Sequence, residues 1–153
     1  MNVQDAYTII VTDSPEESRD YWVTHLGFEV AFEADWFVYL VSEGEPRFGV
    51  AFMRSGLDHQ RADHRLRYDG GGATILSLQV GDAKAVFDQV TATGATPLTE
   101  LRNEPWGQRH FVLVDPSGVH IDILEQIEPD PSFFDPAARQ SLDDALGVAE
   151  RRG

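Results

Sequence analysis

The 153-residue chain has no cysteine, two methionines and one lysine, Lys84. Without cysteine, disulfides, thiolate metal sites and cysteine nucleophiles are excluded. No run approaches the ~20 apolar residues of a membrane helix, and no basic segment at the N-terminus leads into an apolar one. A cytoplasmic protein that does not act at a membrane is therefore expected. Gly70-Gly71-Gly72 lacks the strand-to-helix setting of a phosphate loop or dinucleotide fingerprint, and no serine occupies a Gly-x-Ser-x-Gly elbow. Positive charge is also scarce: 12 Lys and Arg stand against 26 Asp and Glu, for a net charge of −14. Such a field repels phosphate backbones. It argues against a nucleic-acid partner and tolerates polar or cationic small molecules.

What is present is ordinary globular composition, 42% hydrophobic and 25% charged, arranged in a repeat. Tyr7–Thr12 is rich in β-branched residues and leads into Asp13-Ser14-Pro15-Glu16-Glu17, where Ser14 as N-cap, Pro15 at the first helical position and Glu17 make a capping box. The helix carries Tyr21, Trp22, His25 and Leu26 on one face and stops at Gly27. Strand-like runs follow at Glu29–Glu33, Trp36–Ser42 and Arg47–Arg54. After the polar stretch Ser55–Gly72, which reads as a linker or mobile loop, the order restarts. Thr74–Val80 is a strand, Asp82 caps a helix whose apolar face is Ala83, Val86, Phe87 and Val90, Gly94 ends it, and strands are expected at Thr96–Leu101, Arg109–Asp115 and Val119–Glu125. Val11-Thr12-Asp13 lines up with Val80-Gly81-Asp82, and Leu26-Gly27 with Thr93-Gly94. The expected organisation is α+β: one βαβββ module over residues 1–54, a linker over 55–72, a second module over 73–127, and a Pro-containing tail over 128–153. The tail ends in a short helix carrying Leu142, Ala145, Leu146 and Ala149 on one face. A sheet covered by a helix on one side leaves its other face open, and two such sheets can enclose a ligand cavity.

The segments YTIIVTDSPEESRDYWVTHLGFEV and EPWGQRHFVLVDPSGVHIDILEQ, with the repeat, resemble the vicinal oxygen chelate superfamily, which includes glyoxalase I, extradiol dioxygenases, fosfomycin-resistance enzymes and bleomycin-resistance proteins. The first carries the strand, Asp, Tyr/Trp helix and Leu-Gly-Phe pattern. The second carries Trp-Gly-x-Arg-x-Phe followed by Asp-Pro-x-Gly, close to the bleomycin-resistance form. The resemblance implies three metal-ligand positions, which here fall on Ala6, Ile75 (beside Thr74) and Asp122. One carboxylate is not a site, since catalytic zinc takes about three protein ligands. No metal and no other cofactor is expected. The resemblance also implies a homodimer, and a groove lined by Phe32, Trp36 and Trp106.

The aromatics Phe32, Trp36, Phe37, Tyr39, Phe48 and Phe52 cluster in the second to fourth strands. Alternation sends half of each set to the helix as core and leaves the others for stacking on a ligand. Arg109, His110 and Asp122 are candidates for orienting polar groups. His120 and Asp122 alternate onto one strand face, where a His–Asp pair can serve as acid and base or line a pocket. His59 and His64 stand five apart in a polar stretch, off the spacing that stacks two ligands on a helix. The leading expectation is a metal-independent protein that binds or sequesters an aromatic or cationic, antibiotic-like compound through Phe32, Trp36, Tyr39, Phe48, Trp106, Arg109, His110, His120 and Asp122. The alternatives are a glyoxalase- or dioxygenase-type enzyme, using a divalent metal or the His120/Asp122 pair, and a partner domain with a vestigial cavity.

Overall fold

The computed structural model describes residues 1–2, 6–60, 62, 65–71, 74–133 and 137. The expected C-terminal helix and His64 lie outside them. The elements run β1 (Thr8–Thr12), α1 (Pro15–Leu26), β2 (Glu29–Ala34), β3 (Phe37–Val41), β4 (Gly49–Arg54), β5 (Ile75–Gln79), α2 (Ala83–Ala92), β6 (Arg102–Glu104), β7 (Gln108–Val114) and β8 (His120–Gln126). They form two four-stranded sheets of identical topology, β1-β4-β3-β2 and β5-β8-β7-β6. In each, the first and last strands of the module pair in parallel (Ile10 opposite Phe52, Leu76 opposite Ile121) and the remaining pairs are antiparallel. The fold is the expected α+β pair of βαβββ modules.

Strand alternation builds the core. Ile10, Val38, Leu40, Val50 and Phe52 point from the first sheet toward the helix layer, as Phe111, Leu113, Ile121 and Ile123 do from the second, and all are buried. Trp22 is the largest fully buried side chain and meets Phe28 edge-on at 4.8 Å and Phe52 at 5.9 Å. Its indole N–H leaves the first module altogether and donates to Asp115 Oδ2 at 2.9 Å. The other oxygen of that buried carboxylate accepts from Ser117 N (2.9 Å), Ser117 Oγ (2.5 Å) and Val119 N (3.3 Å), closing the Asp-Pro-Ser-Gly turn. Tyr21, beside it, has its phenol pushed above the usual range by burial and then by the charge of Asp115. On the same helix face His25 Nδ1 meets Thr93 Oγ1 at 2.8 Å, the hydrogen-bonded boundary histidine its position suggests. Both modules therefore share one core.

Two local expectations are corrected. The capping box does not form: Ser14, at φ −130° and ψ 71°, makes no side-chain cap, and its amide donates to Thr12 Oγ1 at 3.3 Å. By contrast Asp82, in extended conformation, accepts from Ala85 N at 2.9 Å as expected. The strand expected at Thr96–Leu101 is replaced by β6 at Arg102–Glu104. Pro97 has no N–H for a ladder, and the segment is tied to β7 by one backbone bond, Leu98 N to Val112 O at 2.7 Å, and by Thr99 Oγ1, which accepts from Val112 N at 2.9 Å.

The connector is anchored where it is described. Gly56 N donates to Leu66 O at 3.0 Å, Gln60 Nε2 reaches Met53 Sδ at 3.3 Å, and Gly70-Gly71 lie backbone to backbone on the Ser117-Gly118 turn. A Cβ on Gly71 would come within 2.5 Å of Gly118 C, and one on Gly118 within 2.3 Å of Gly70 O, both at φ near 90°. Side chains have no room there.

Candidate functional site

The faces turned away from the helices are the candidate binding surfaces, and their characters differ. In the first sheet that face carries Tyr7, Phe32, Phe37 and Tyr39. Tyr7 meets Tyr39 at 5.0 Å and Phe32 meets Phe37 at 6.2 Å. Trp36, in the β2–β3 turn, extends the row, at 5.4 Å from Phe37 and 4.8 Å from His59. Phe32 is 54% exposed and Trp36 37%.

Phe32 reaches this face because of a bulge. Val30 pairs with Leu40, but the next partner of the following Tyr39 is Phe32, so Ala31 is the extra residue. Regular alternation from Val30 would have sent Phe32 to the helix side; the bulge reverses it. Tyr39 lies across Gly49, where a Cβ would fall 2.6 Å from its ring. Gly49 is thus the gap that lets the ring lie flat, a role visible only once the cross-strand partners are known. Phe48 is displaced from the row: it pairs with Ser42 (Phe48 N to Ser42 Oγ and Ser42 N to Phe48 O, both 2.9 Å) and alternates with Val50 and Phe52 instead of Gly49 and Ala51.

The corresponding face of the second sheet is polar. His110, opposite Arg102 on β6 and Leu124 on β8, has its Nδ1 2.7 Å from Asp122 Oδ1 and its Nε2 3.2 Å from Glu104 Oε1. A neutral imidazole has one N–H, so only the imidazolium donates to both carboxylates at once. Burial opposes ionisation of Glu104, but hydrogen bonds from His110 and Arg102, with their charges, outweigh it and hold its carboxyl below the usual range. Ser77 Oγ lies 3.5 Å from Asp122 Oδ2, and Gln126 Nε2 3.4 Å from Gln79 Oε1. Trp106, in the β6–β7 turn, donates from Nε1 to Gln108 Oε1 at 2.8 Å and stands edge-on to His110 at 6.2 Å.

The nine candidates thus divide. Phe32, Trp36 and Tyr39 come together on one sheet; Trp106, His110 and Asp122 come together on the other. His120 opens β8 on the same face as Asp122 but is exposed, and the carboxylate is bonded to His110. Arg109 follows the opposite alternation to His110 and faces the helix layer, with Nε 2.9 Å from Asn103 Oδ1 and Nη1 3.8 Å from Glu125 Oε2. Glu125 in turn accepts from Ala83 N at 3.1 Å, so this pair steadies the start of α2. Glu104 was not anticipated; its signal was the alternation Arg102-x-Glu104 immediately before the Pro-Trp-Gly turn.

Phe32, Trp36 and Trp106 all keep exposed surface, so both faces are open. Two open clefts are formed by described residues, one of about 500 Å³ lined by Glu16, Glu33, Asp35 and Arg54 beside α1, and one of about 340 Å³ between β1 and the connector. None of the nine candidates lines either. Among the described residues no three His, Asp or Glu side chains converge on a point where they could hold a metal ion. Ala6 and Ile75 offer no donor at the implied ligand positions, and Asp122 is bonded to His110, so this donor set does not fit a catalytic divalent metal. Among the described residues no helix is long and apolar enough to cross a membrane.

Fold and site together define a paired-module α+β protein with two open sheet faces, one aromatic and one polar. The chain belongs to the Glyoxalase/Bleomycin resistance protein/Dioxygenase superfamily, whose sequence model matches residues 5–123. An uncharacterized protein of Mycobacterium tuberculosis is 39% identical over 51 residues, 33% of this chain; the matched segment spans only 30% of that protein's length. Among solved structures, a glyoxalase/bleomycin resistance protein/dioxygenase from Nocardioides superposes with a TM-score of 0.70 at 16% identity, covering 89% of each chain. A bleomycin-binding protein complexed with bleomycin gives a TM-score of 0.61 at 16% identity, covering 81% of this chain and 99% of that one. A lactoylglutathione lyase from Agrobacterium tumefaciens gives 0.64 at 14%, covering 81% and 94%. At these identities the likeness is one of fold.

Proposed function

We propose that this protein binds an aromatic small molecule, such as an antibiotic, without the help of a metal and without transforming it. The observation that carries the reading is the row Phe32, Phe37, Tyr39 and Trp36 on one open sheet face, with Phe32 and Trp36 exposed and Phe37 and Tyr39 half-buried. Aromatic surface left in water is unfavourable by roughly 25 cal/mol per Å², and planar ligands stack on such a row. His110, Asp122 and Glu104 would orient the ligand's polar groups. Tyr7, Ile9 and Ile75 are exposed (50%, 44% and 64%), which supports a homodimer in which a second copy completes the groove, and the cytoplasm is its proposed place of work. The likeness to a bleomycin-binding protein is consistent with sequestration.

The test is calorimetric titration with a panel of planar aromatic compounds, bleomycin and the neutral tricycle acridone among them. Binding that weakens about tenfold in Trp36→Ala and Phe32→Ala, at unchanged melting temperature, is expected. Absence of binding across the panel, or binding indifferent to both substitutions, overturns the reading.

A second reading, a lyase- or isomerase-type enzyme working by proton transfer, is favoured by one observation: His110 held between Asp122 and Glu104. It requires a bound compound to be recovered chemically altered, and the alteration to cease in His110→Gln.

A further inference from the structure

The segment after β8 does not leave the molecule. Ile127 N donates to Gly107 O and Asp130 N to Pro105 O, both at 2.9 Å, so residues 127–130 run back along the Pro105-Trp106-Gly107 turn. Gly107, at φ 97°, makes this possible: a Cβ there would stand 3.0 Å from both Ile127 O and Pro129 Cβ. Asp130 then folds the chain over. Its Oδ1 accepts from Ser132 N (2.9 Å) and Ser132 Oγ (2.7 Å), and its carbonyl accepts from Phe133 N at 3.0 Å. This turn sets the Phe133 ring 5.8 Å from Trp106 at an interplanar angle of 50°. Trp106 already stands against His110 and is bonded to Gln108, both on the open face of β7. Phe133, 48% exposed, therefore continues the row His110–Trp106–Phe133 at the rim of the polar sheet.

Among the described residues three carboxylates, Glu104, Asp122 and Asp130, stand around this row; Arg102 and His110 answer the first two, and Asp130 is bonded to Ser132 without a cationic partner. The Ser132 hydrogen bonds hold the Asp130 carboxyl below its usual range, so it is ionised at neutral pH. Exposed aromatic faces rimmed by carboxylates attract planar cations, by stacking and by cation–π contact.

We propose that the 127–133 strap is part of the binding site, and that Phe133 with Trp106 forms a subsite selective for a planar, positively charged group. The inference rests on the reading of the protein as an aromatic-ligand binder and adds to it a residue outside both modules, at which the cationic preference expected from the composition is located.

Three flat tricyclic probes separate the two ideas: proflavine (cationic), acridone (neutral) and anthraquinone sulfonate (anionic), each titrated by calorimetry into the full chain. Proflavine is expected to bind at least about tenfold more tightly than anthraquinone sulfonate, with the gap narrowing at high salt. Phe133→Leu, which keeps an apolar anchor for the strap but removes the π-face, should weaken proflavine on the order of fivefold, and Phe133→Trp should restore it. Proflavine binding that is lost in Phe32→Ala but unmoved in Phe133→Leu overturns this inference and leaves the aromatic-binder reading standing. Equal affinity for cation and anion overturns it as well. If no probe binds the unsubstituted protein, both fall.

Discussion

The two modules share a topology and a count of strands, yet they differ in what they bury and in what they present. Both helices begin one residue after their N-cap, at Pro15 and at Ala83, and the eighth residue of each is fully buried: Trp22 in α1, Val90 in α2. The same frame position thus holds an indole in one copy and an isopropyl group in the other. The larger group fills the first module and also sends a donor into the second. Outward, the contrast reverses in kind. The first sheet presents aromatic rings and little that ionises, while the second presents His110, Glu104, Asp122 and a set of glutamines. A ligand in contact with both sheets meets a stacking surface and a hydrogen-bonding surface. Repetition supplied the architecture, and departures from repetition supplied the chemistry.

The sharpest way to break the comparison is at Trp22. Trp22→Ala should destabilise the protein by about 3–5 kcal/mol and leave Asp115 Oδ2 buried without its donor. Because the core is shared, both modules should unfold together, in a single denaturant transition at lower midpoint. Two resolved transitions would show that the modules are energetically separate.

A smaller effect is expected at the β2 bulge. Deleting Ala31 removes the extra residue, so Val30 and Phe32 become neighbours in regular alternation and Phe32 keeps its place opposite Tyr39 on the open face, at a stability cost on the order of 1 kcal/mol. Affinity for aromatic probes should therefore survive the deletion, whereas Phe32→Ala lowers it. Affinity lost in the deletion variant at unchanged melting temperature would mean that the bulge itself, and not the face Phe32 occupies, makes the stacking surface.

The smallest effect concerns the polar module. The Glu104 carboxyl sits below its ordinary value of 4.5 in the folded protein, so its contribution to stability is present in full above pH 4.5 and is lost as pH falls through the lower folded value. Glu104→Gln lacks that linkage. Melting temperatures of the two proteins should therefore converge on acidification below pH 4.5. A gap that stays constant through that range would show that His110 and Arg102 do not stabilise the ionised form.

Much of the fold could be read from the chain because its signals were local and came twice. Gly27 and Gly94, the Asp82 cap and the turn at Asp115-Pro116-Ser117-Gly118 punctuate the elements at matching places. The site was less legible, since the face a residue occupies is a non-local property. Phe32 changes face through one extra residue whose presence depends on its partner strand. Arg109 and His110 are neighbours in sequence and opposites in space. Displacing β6 from Thr96–Leu101 to Arg102–Glu104 hid Glu104, which only the true strand brings against His110. Phe133 lay in a Pro-rich stretch whose return to the Trp106 turn rests on backbone bonds that residue types do not announce.

The hydrogen bond between Trp22 and Asp115 bears on what counts as a unit in this protein. A carboxylate inside the second module is buried with one oxygen answered by its own turn and the other answered only by the first module. Expressed alone, the second half would carry a charge that water must reach, and the first half would carry an indole N–H with nothing to meet it. The repeat has become asymmetric in dependence as well as in chemistry. Exchanging either half for another copy of itself would reproduce the topology and lose the lock.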